Sequence, residues 1–450
     1  MVRTVIFSCC ALAALLAANA AATDGELDPA FSGNGKAVVG FSDALSNPEP
    51  ALATAIALQN GKIVLAGAIS SGTVSTALAR LNADGSLDTT FSSSGRATGL
   101  ILKPAGTNDS ASALAIQTDG KIVVAGSFGR KGYVMRLFAD GGLDPSFSDN
   151  GIVTYPATVG ATTTAFSSVA VTSSGKIIAS GSYDDGTGAG PTVLSLLLDA
   201  SGNILFAQDV TAVFADGIGA VVMKLQPDGK AVMLTANTGC AVLRDNVDTT
   251  LALDATFGTG GIKTFGWNLG GFNFCSALAL QRDGKILVGG QGQLDDMGTS
   301  RATLTRLLPD GTLDAAFGKK AFAFASADTG IANIGTAILV QQNQDIVLTG
   351  TAGTTDPAHA PQDFAALRLL PDGSLDTTFT ATTAGSSLGK VVFGFETNSN
   401  GREDECAGAV LQGNEIVMAG FRQTSNTAMI NQFAVARLTN NEIFADAFEP

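Results

Sequence analysis

The stretch Arg306-Leu307-Leu308-Pro309-Asp310-Gly311-Thr312-Leu313-Asp314-Ala315-Ala316-Phe317 decides the fold, because its pattern recurs along the chain. The pattern is Arg-Leu, two residues, Asp-Gly, one residue, Leu-Asp, two residues and Phe. Self-similarity of this kind indicates a repeat architecture. Further copies, some of them partial or lengthened, start at Leu27, Arg80, Arg136, Arg244, Arg368 and Arg437.

A second recurring segment precedes the first and reads Leu-Gln, a turn, then Gly-Lys-Ile, as in Leu280-Gln281-Arg282-Asp283-Gly284-Lys285-Ile286. Asn-Gly or Asp-Gly between apolar runs predicts a hairpin with a two-residue type I′ turn, whose central residues both have positive φ. Two copies replace the glycine, by Gln344 and Asn414, which predicts wider or strained turns there. The seven turns lie at Gly61, Gly120, Gly175, Gly229, Gly284, Gln344 and Asn414.

Each repeat contains four short strand patterns and no segment with helical apolar spacing. An open stack of such units would require polar caps at its ends, and neither end of the chain provides one. Radial closure protects the strand edges instead. The sequence therefore predicts an all-β fold, a seven-bladed β-propeller of four-stranded antiparallel blades with about 55–70 residues per repeat. Closure is expected between Leu27-Asp28 and Phe444–Phe448.

The first residues have the layout of a secretory signal peptide: Arg3, an apolar run to Leu16, then small residues. We expect residues 1–20 to be removed, with cleavage near Ala20 or Ala22, and residues 24–450 to form one propeller domain. The apolar run falls short of the ~20 residues of a membrane-spanning helix. The protein is therefore expected to be secreted, periplasmic or extracellular, with no membrane span.

Charge and composition restrict the partners. The chain has 26 basic and 40 acidic residues and a formal net charge of −14, a poor match for nucleic acid. Because 45% of residues are hydrophobic and only 15% are charged, the chain can bury a core rather than remain disordered.

The two motifs, Asp-Gly-x-Leu-Asp-x-x-Phe and Asp-Gly-Lys-Ile, resemble those of the delta-60 repeat proteins of bacteria over nearly the whole mature chain. The resemblance implies a propeller-like repeat fold, but it implies no activity and no catalytic residues. One copy departs from the pattern, because Leu197-Leu198 to Leu205 lacks the Arg, the Asp and the Phe. A distorted unit is predicted there.

The repeated Arg and Asp are predicted to be structural, because an Arg fork bound to a carboxylate can join repeated units and functional sites seldom recur in every unit. The recurring Phe is predicted to pack between blades. The predicted ties are Arg80, Arg136, Arg306, Arg368, Asp88, Asp144, Asp314 and Asp376, with Arg244, Arg437, Asp28 and Asp254 at the matching places.

Irregular loops are the predicted place of function, because repeats share a scaffold and insertions fall on one face. The richest loop contains the single Trp of the chain, and its candidate binding residues are Trp267, Phe272 and Phe274. Such aromatic residues either contact a glycan or protein or pack onto their own blade.

Metal, thiol and nucleophile chemistry receive little support. A partial calcium loop contains Glu396, Asn398, Asn400 and Asp404. It is either a weak calcium site or a solvated acidic loop, and no other cofactor is predicted. Cys240 and Cys275, in neighbouring units, are the first choice for a disulfide that leaves Cys406 free, although other pairings stay open. The single histidine, His359, excludes zinc sites built on several histidines.

No catalytic residue is predicted, and the leading interpretation is an exported, non-catalytic propeller that binds an unknown protein or glycan. The competing interpretations are a secreted propeller hydrolase or lyase acting on an extracellular polymer, and a structural component of the cell envelope. The enzyme would require clustered carboxylates or a histidine at the channel mouth.

Overall fold

The computed structural model describes residues 23–440 except 44, 71, 99–105, 157–162, 188–190, 211–220, 237–238, 248–250, 268, 295–298, 325–331, 354–361, 384–385, 396–402 and 425–429. The predicted signal peptide, His359 and Phe444–Phe448 lie outside the described residues. The described part of the chain contains no helix with the length and apolarity that crossing a membrane requires.

Over the described residues the chain forms seven antiparallel blades and one separate two-stranded sheet. In six blades the strands follow sequence order from the centre outward, and in the seventh the outermost strand comes from the start of the chain. The prediction of a seven-bladed β-propeller is therefore confirmed. Each innermost strand contacts the innermost strand of the next blade, and the last contacts the first, so the ring is closed.

The described strands are listed here in chain order. Before blade 1 lie β1 (Lys36–Val39), β2 (Phe41–Ser42) and β3 (Pro48–Glu49). Blade 1 contains β4 (Ala51–Gln59), β5 (Lys62–Ser70), β6 (Val74–Leu81) and β7 (Arg96–Thr98), with a 3-10 turn at Phe91–Ser93. Blade 2 contains β8 (Asp109–Ile116), β9 (Ile122–Phe128), β10 (Lys131–Leu137) and β11 (Ile152–Tyr155). Blade 3 contains β12 (Thr163–Val171), β13 (Ile177–Asp184), β14 (Thr192–Leu198) and β15 (Ile204–Val210).

The remaining blades follow the same order. Blade 4 contains β16 (Val221–Leu225), β17 (Lys230–Ala236), β18 (Cys240–Asn246), β19 (Ala252–Leu253) and β20 (Ile262–Phe265). Blade 5 contains β21 (Asn273–Leu280), β22 (Ile286–Gln293), β23 (Ser300–Leu307) and β24 (Lys319–Phe322). Blade 6 contains β25 (Asn333–Val340), β26 (Ile346–Gly353), β27 (Gln362–Leu369) and β28 (Lys390–Phe393). Blade 7 contains β29 (Asp404–Gln412), β30 (Glu415–Gln423), β31 (Asn431–Leu438) and, on its outer side, β1.

The ring closes through strand β1, which comes from the start of the chain and completes blade 7. Its residues pair with the end of the chain in the register Lys36↔Ala436 to Val39↔Phe433. Leu27 bridges to Leu438 just before this strand. Closure thus involves the predicted Leu27-Asp28 segment, which pairs with Leu438 within the described residues.

The hairpin turns follow two geometries rather than the single type I′ turn predicted from sequence. Asn60 and Gly61 both have positive φ, 50° and 78°, as that turn requires. In the Asp-Gly copies only the glycine has positive φ, as at Gly120, whose N–H donates to the carbonyl of Gln117. Four residues therefore form the turn there, and one left-handed residue is sufficient.

The two turns without the usual glycine differ from each other. Gln344 itself adopts the left-handed conformation, with φ of 72°, which is strained for a residue with a Cβ. Asn414 avoids this conformation because the preceding Gly413 has the positive φ of 64°, and the turn joins the paired residues Gln412 and Glu415. The prediction of strain is confirmed at Gln344, and the prediction of a wider turn at Asn414 is wrong.

Candidate active site

The repeated Arg, Asp and Phe form a three-part contact in the structure. In blade 2 the Arg136 Nε–H donates to Asp144 Oδ2 at 2.8 Å, and its guanidinium carbon lies 4.6 Å from the centre of the Phe147 ring. The Nη1–H of the same side chain donates to the carbonyl of Ala200 in blade 3 at 2.6 Å. The arginine therefore joins one blade to the next. Equivalent Arg–Asp bonds join Arg80 to Asp88, Arg244 to Asp254, Arg306 to Asp314, Arg368 to Asp376 and Arg437 to Asp28.

Five of the motif phenylalanines fit beneath the glycine turn of the next blade: Phe31, Phe91, Phe147, Phe257 and Phe317. A Cβ added at Gly141 would lie 2.6 Å from Phe91, so only glycine leaves space for the ring. Asp144 is fully buried. Burial alone would raise the pKa of this carboxyl, but hydrogen bonds from Ser146 and Arg136 outweigh it and hold the pKa below its ordinary value.

The aromatic loop of blade 5 presents two of its three candidate residues. Phe272 and Phe274 are 59% and 51% exposed, whereas Trp267 is 4% exposed and packs edge-on against Phe265 with ring centres 5.6 Å apart. Trp267 is therefore part of the packed interior between blades. The exposed part of the candidate binding surface is the phenylalanine pair.

The cysteines lie in two environments. Cys240 on β18 and Cys275 on β21 form a disulfide with Cα atoms 5.6 Å apart, which links blades 4 and 5. Cys406 is a free, buried thiol, and burial raises its pKa to about 11. A thiol protonated at neutral pH is a poor nucleophile, so Cys406 is a packing residue.

The calcium candidates are not brought together as a described site. Glu396, Asn398 and Asn400 lie outside the described residues. Asp404 begins the inner strand β29, where its Oδ2 accepts the backbone N–H of Phe395 at 2.6 Å. Among the described residues no group of three or more His, Cys, Asp or Glu side chains is arranged to hold a metal ion.

Asp404 instead lies beside a second carboxylate, Asp363, which the sequence interpretation missed. Asp363 is on β27 of blade 6, and the two side chains approach the same glycine, Gly394, where a Cβ would lie 2.5 Å from Asp363 Oδ1 and 3.4 Å from Asp404 Oδ2. The two oxygens are therefore less than about 6 Å apart, the range in which one carboxylate raises the pKa of another.

The surroundings of Asp363 shift the pKa of its carboxyl group. Burial, followed by the charge of Asp404, raises the pKa of Asp363 to about 6, although Lys36 acts in the opposite direction. Lys36 reaches across from β1, where its ammonium donates to the carbonyl of Gly394 and lies 5.7 Å from the centre of the Phe395 ring. Asp363 therefore carries its proton over much of the range below neutral pH, as a general acid must.

Two further acidic residues, Glu403 and Glu405, lie on either side of Asp404 at the start of β29. Glu403 is exposed and forms a parallel bridge with Gln362, the neighbour of Asp363. Burial and the charge of Glu403 raise the pKa of Glu405. The ends of β27 and β29 thus bring a protonatable acid, a buried carboxylate and an exposed carboxylate to one face of the ring.

Glu405 and the exposed Phe274 hold the same register position, two residues before the unpaired residue of the β-bulge in the inner strand. Both therefore lie near the same end of the channel, in blades 7 and 5.

One sequence signal could have identified Asp363: it stands five residues before the motif arginine, where the other copies have no carboxylate. The residues there are Ser75, Lys131, Thr192, Gly239, Arg301 and Gln432.

Four parts of the chain match the family model described as "Domain of unknown function (DUF5122) beta-propeller", at residues 58–91, 117–147, 281–317 and 346–379. The matches show a β-propeller repeat protein. No curated protein matches the chain in sequence.

Solved structures resemble the chain in fold. A protein of unknown function from Dyadobacter fermentans is 11% identical with a TM-score of 0.44, and 90% of this chain and 97% of that chain are covered. A variant of the NanB sialidase from Streptococcus pneumoniae is 10% identical, with a TM-score of 0.45 and coverages of 90% and 70%. An α-L-arabinofuranosidase from Fusarium graminearum is 10% identical, with a TM-score of 0.41 and coverages of 72% and 91%.

At these identities the likeness concerns the propeller fold alone. Several of the similar structures are nevertheless named as glycoside hydrolases. The prediction of a non-catalytic binding or interaction propeller is contradicted by this finding.

Proposed function

We propose that this propeller repeat protein is an exported hydrolase that cleaves an extracellular glycan polymer, with its active site at Asp363, Asp404 and Glu403. The observation that carries the proposal is the Asp363–Asp404 pair, in which burial and the nearby charge of Asp404 raise the pKa of Asp363 to about 6. Carboxyl groups whose surroundings separate their pKa values are the usual acid and base of glycoside hydrolysis.

Each carboxyl group has a distinct role in this proposal. Asp363 donates its proton to the glycosidic oxygen as the bond to the leaving sugar breaks. Glu403, the exposed carboxylate, acts on the sugar carbon either directly or through a water molecule. Asp404 is too buried, at 4% exposed, to reach a polymer, so it acts by keeping the proton on Asp363.

The substrate class follows from charge and exposed aromatic surface. A chain with a net charge of −14 and carboxylates at its site repels polyanions, which favours a neutral glycan. Phe272 and Phe274 offer exposed aromatic faces near the same end of the channel, suitable for contact with a sugar ring. The proposal of export rests on the predicted removal of residues 1–20. Sequencing the N-terminus of the exported protein would test it. The narrower assignment to the delta-60 repeat proteins is part of the same proposal.

The test is the release of reducing ends from a panel of neutral polysaccharides by the purified mature chain. We expect Asp363→Asn to lower the rate at least 100-fold, because the amide keeps the shape of the side chain but cannot donate the proton. The wild-type rate should fall as pH rises through about 6, since the acid must be protonated.

Asp345→Asn is the matched control, because Asp345 is a buried carboxyl in the same blade, next to the hairpin turn that leads into β26, and burial also raises its pKa. It should keep the wild-type rate. No release from any glycan in the panel, or an Asp363→Asn variant with full activity, would contradict the proposal.

A further inference from the structure

A cavity of about 250 Å³ lies on the propeller axis and is lined by the inner strands of all seven blades. Its walls are almost entirely Ala, Ser, Thr, Gly and aliphatic side chains. Among the described residues that line it, Lys224 on β16 bears the one formal charge. This lysine lies in blade 4, away from the carboxylates between blades 6 and 7.

Lys224 occupies a place at which other blades have small or aliphatic residues. It stands two residues before the Gln of the hairpin turn, where the other copies have Ala57, Ala115, Ala170, Ala279, Leu339 and Val410. The lysine is therefore not needed to build the repeat.

The ammonium has no carboxylate beside it. Over the described part of the chain, Lys224 forms no ion pair, and no acidic residue lines the cavity. The side chain is accessible to solvent within the channel, yet the surrounding walls lower its pKa by desolvation. An ammonium in such a place lacks the counter-charge that normally accompanies it.

Hydroxyl groups of the same walls can complete an anion site. Ser168 lines the cavity, and its Oγ accepts the backbone N–H of Met223, the neighbour of Lys224, at 3.0 Å. That bond uses an oxygen lone pair and leaves the hydroxyl proton to be donated. Ammonium and hydroxyl donors around a small cavity suit a compact oxyanion.

We propose that the central channel binds a small oxyanion, a carboxylate or a phosphate, through the ammonium of Lys224. The anion provides the counter-charge that the protein itself does not supply. The site is independent of the proposed hydrolase site, because its donors Lys224 and Ser168 lie in blades 4 and 3 and it requires no cleavage.

The test is thermal unfolding of the mature chain in acetate, in inorganic phosphate and in sodium chloride at equal ionic strength. We expect acetate or phosphate to raise the Tm of the wild-type chain by about 2 °C or more over chloride, as binding to the folded state requires. The response to each oxyanion identifies which of the two the channel accepts.

Lys224→Met, which keeps the length of the side chain without its charge, should lose this response and unfold at a higher temperature than wild type in chloride. Lys224→Arg should retain the response, which separates charge from packing. An equal response to oxyanions in wild type and Lys224→Met, or no difference from chloride in the wild type, would overturn the proposal.

Discussion

Arg136 makes three kinds of contact with a single side chain: an ion pair within its blade, a stacking contact with Phe147 and a hydrogen bond to the next blade. Both charged partners are buried, with Arg136 5% exposed and Asp144 fully buried. Removing one member leaves the other charge buried and unpaired, which costs more than the pair itself contributes.

We expect Arg136→Ala to lower the free energy of unfolding by about 3 kcal/mol, because the buried Asp144 loses its arginine partner and Lys121, 3.5 Å away, replaces it only in part. Urea unfolding followed by circular dichroism measures the change. Arg136→Lys is the control, since it keeps the charge but loses the planar fork, and its loss should be smaller. Unchanged unfolding of Arg136→Ala would show that the motif is not a structural tie.

Asp245 is a buried carboxyl at a place where the repeat has leucine. It is 1% exposed, and neither of its oxygens has a hydrogen-bond partner among the residues that the structure describes. Burial raises its pKa to about 7. The matching residues of the other blades are Leu81, Leu137, Leu198, Leu307, Leu369 and Leu438.

The folded chain therefore holds a proton on Asp245 that the unfolded chain releases between pH 3.8 and about 7, so this residue lowers stability as pH rises through that window. We expect Asp245→Leu to be more stable than wild type at pH 8, by at most roughly 4 kcal/mol, and to gain less at pH 5. Chemical unfolding at both pH values measures the difference.

Asp245→Asn serves as the control for titration, because it keeps a polar side chain of similar size that does not ionise. Its stability relative to wild type should also rise between pH 5 and pH 8. A difference from wild type that does not change with pH would contradict the raised pKa.

The hairpin turn of blade 6 differs from that of blade 5 in the residue at its left-handed position. Its left-handed position is occupied by Gln344, whereas the turn of blade 5 has Gly284 with φ of 81°. A residue with a Cβ is strained in this conformation, and glycine is not.

We expect Gln344→Gly to stabilise the protein by about 1 kcal/mol, since relief of the left-handed strain exceeds the entropy that glycine adds to the unfolded chain. The midpoint of urea unfolding measures it. Gly284→Gln in blade 5 is the reciprocal control and should destabilise by a similar amount. Equal midpoints for both variants would show that the turn conformation has no energetic weight.

Blade 3 shows how a blade is built when the Arg–Asp–Phe motif is missing. Leu197 replaces the arginine, and the outer strand β15 continues directly from the turn, with Ile204, Leu205 and Phe206 each more than 40% exposed. The predicted distortion therefore takes the form of a long outer strand without the Arg, Asp and Phe contacts. Blade 3 has no arginine tie to blade 4.

At the scale of the whole molecule, closure depends on residues from the start of the chain. Strand β1 completes blade 7, Asp28 pairs with Arg437 at 2.7 Å, and Phe31 is fully buried against Gly85 of blade 1. Without these residues β31 would become an exposed edge strand, and Arg437 would lose its carboxylate.

Deleting residues 23–39 from the mature chain should lower the unfolding midpoint more than Phe31→Ala alone, which we expect to cost about 3–5 kcal/mol. Thermal unfolding and gel filtration measure stability and edge-to-edge association. A peptide of residues 23–39 added in trans should restore part of the stability. A truncated chain that unfolds like the full one would contradict closure by β1.

The repeats in the sequence were sufficient to predict seven blades, the Arg–Asp ties and the Phe packing, because each depends on residues that recur at fixed spacing within one unit. The candidate site depends on other relations. Asp363 and Asp404 belong to different blades and meet only because the ring packs one sheet against the next. The spacing of residues along the chain does not predict this contact. The sequence shows only that Asp363 is a carboxylate at a position where the other repeats have none.

The repeating unit could be predicted from the order of the amino acids, because glycine turns, alternating apolar residues and an Arg–Asp–Phe motif act locally and are repeated. The roles of the residues that depart from the repeat depend on how the blades pack together. In the structure Trp267 is buried, Asp363 lies beside Asp404, and Lys224 is the one charged side chain among the described residues that line the central cavity. These features could not be predicted because burial and electrostatic environment are properties of the assembled ring.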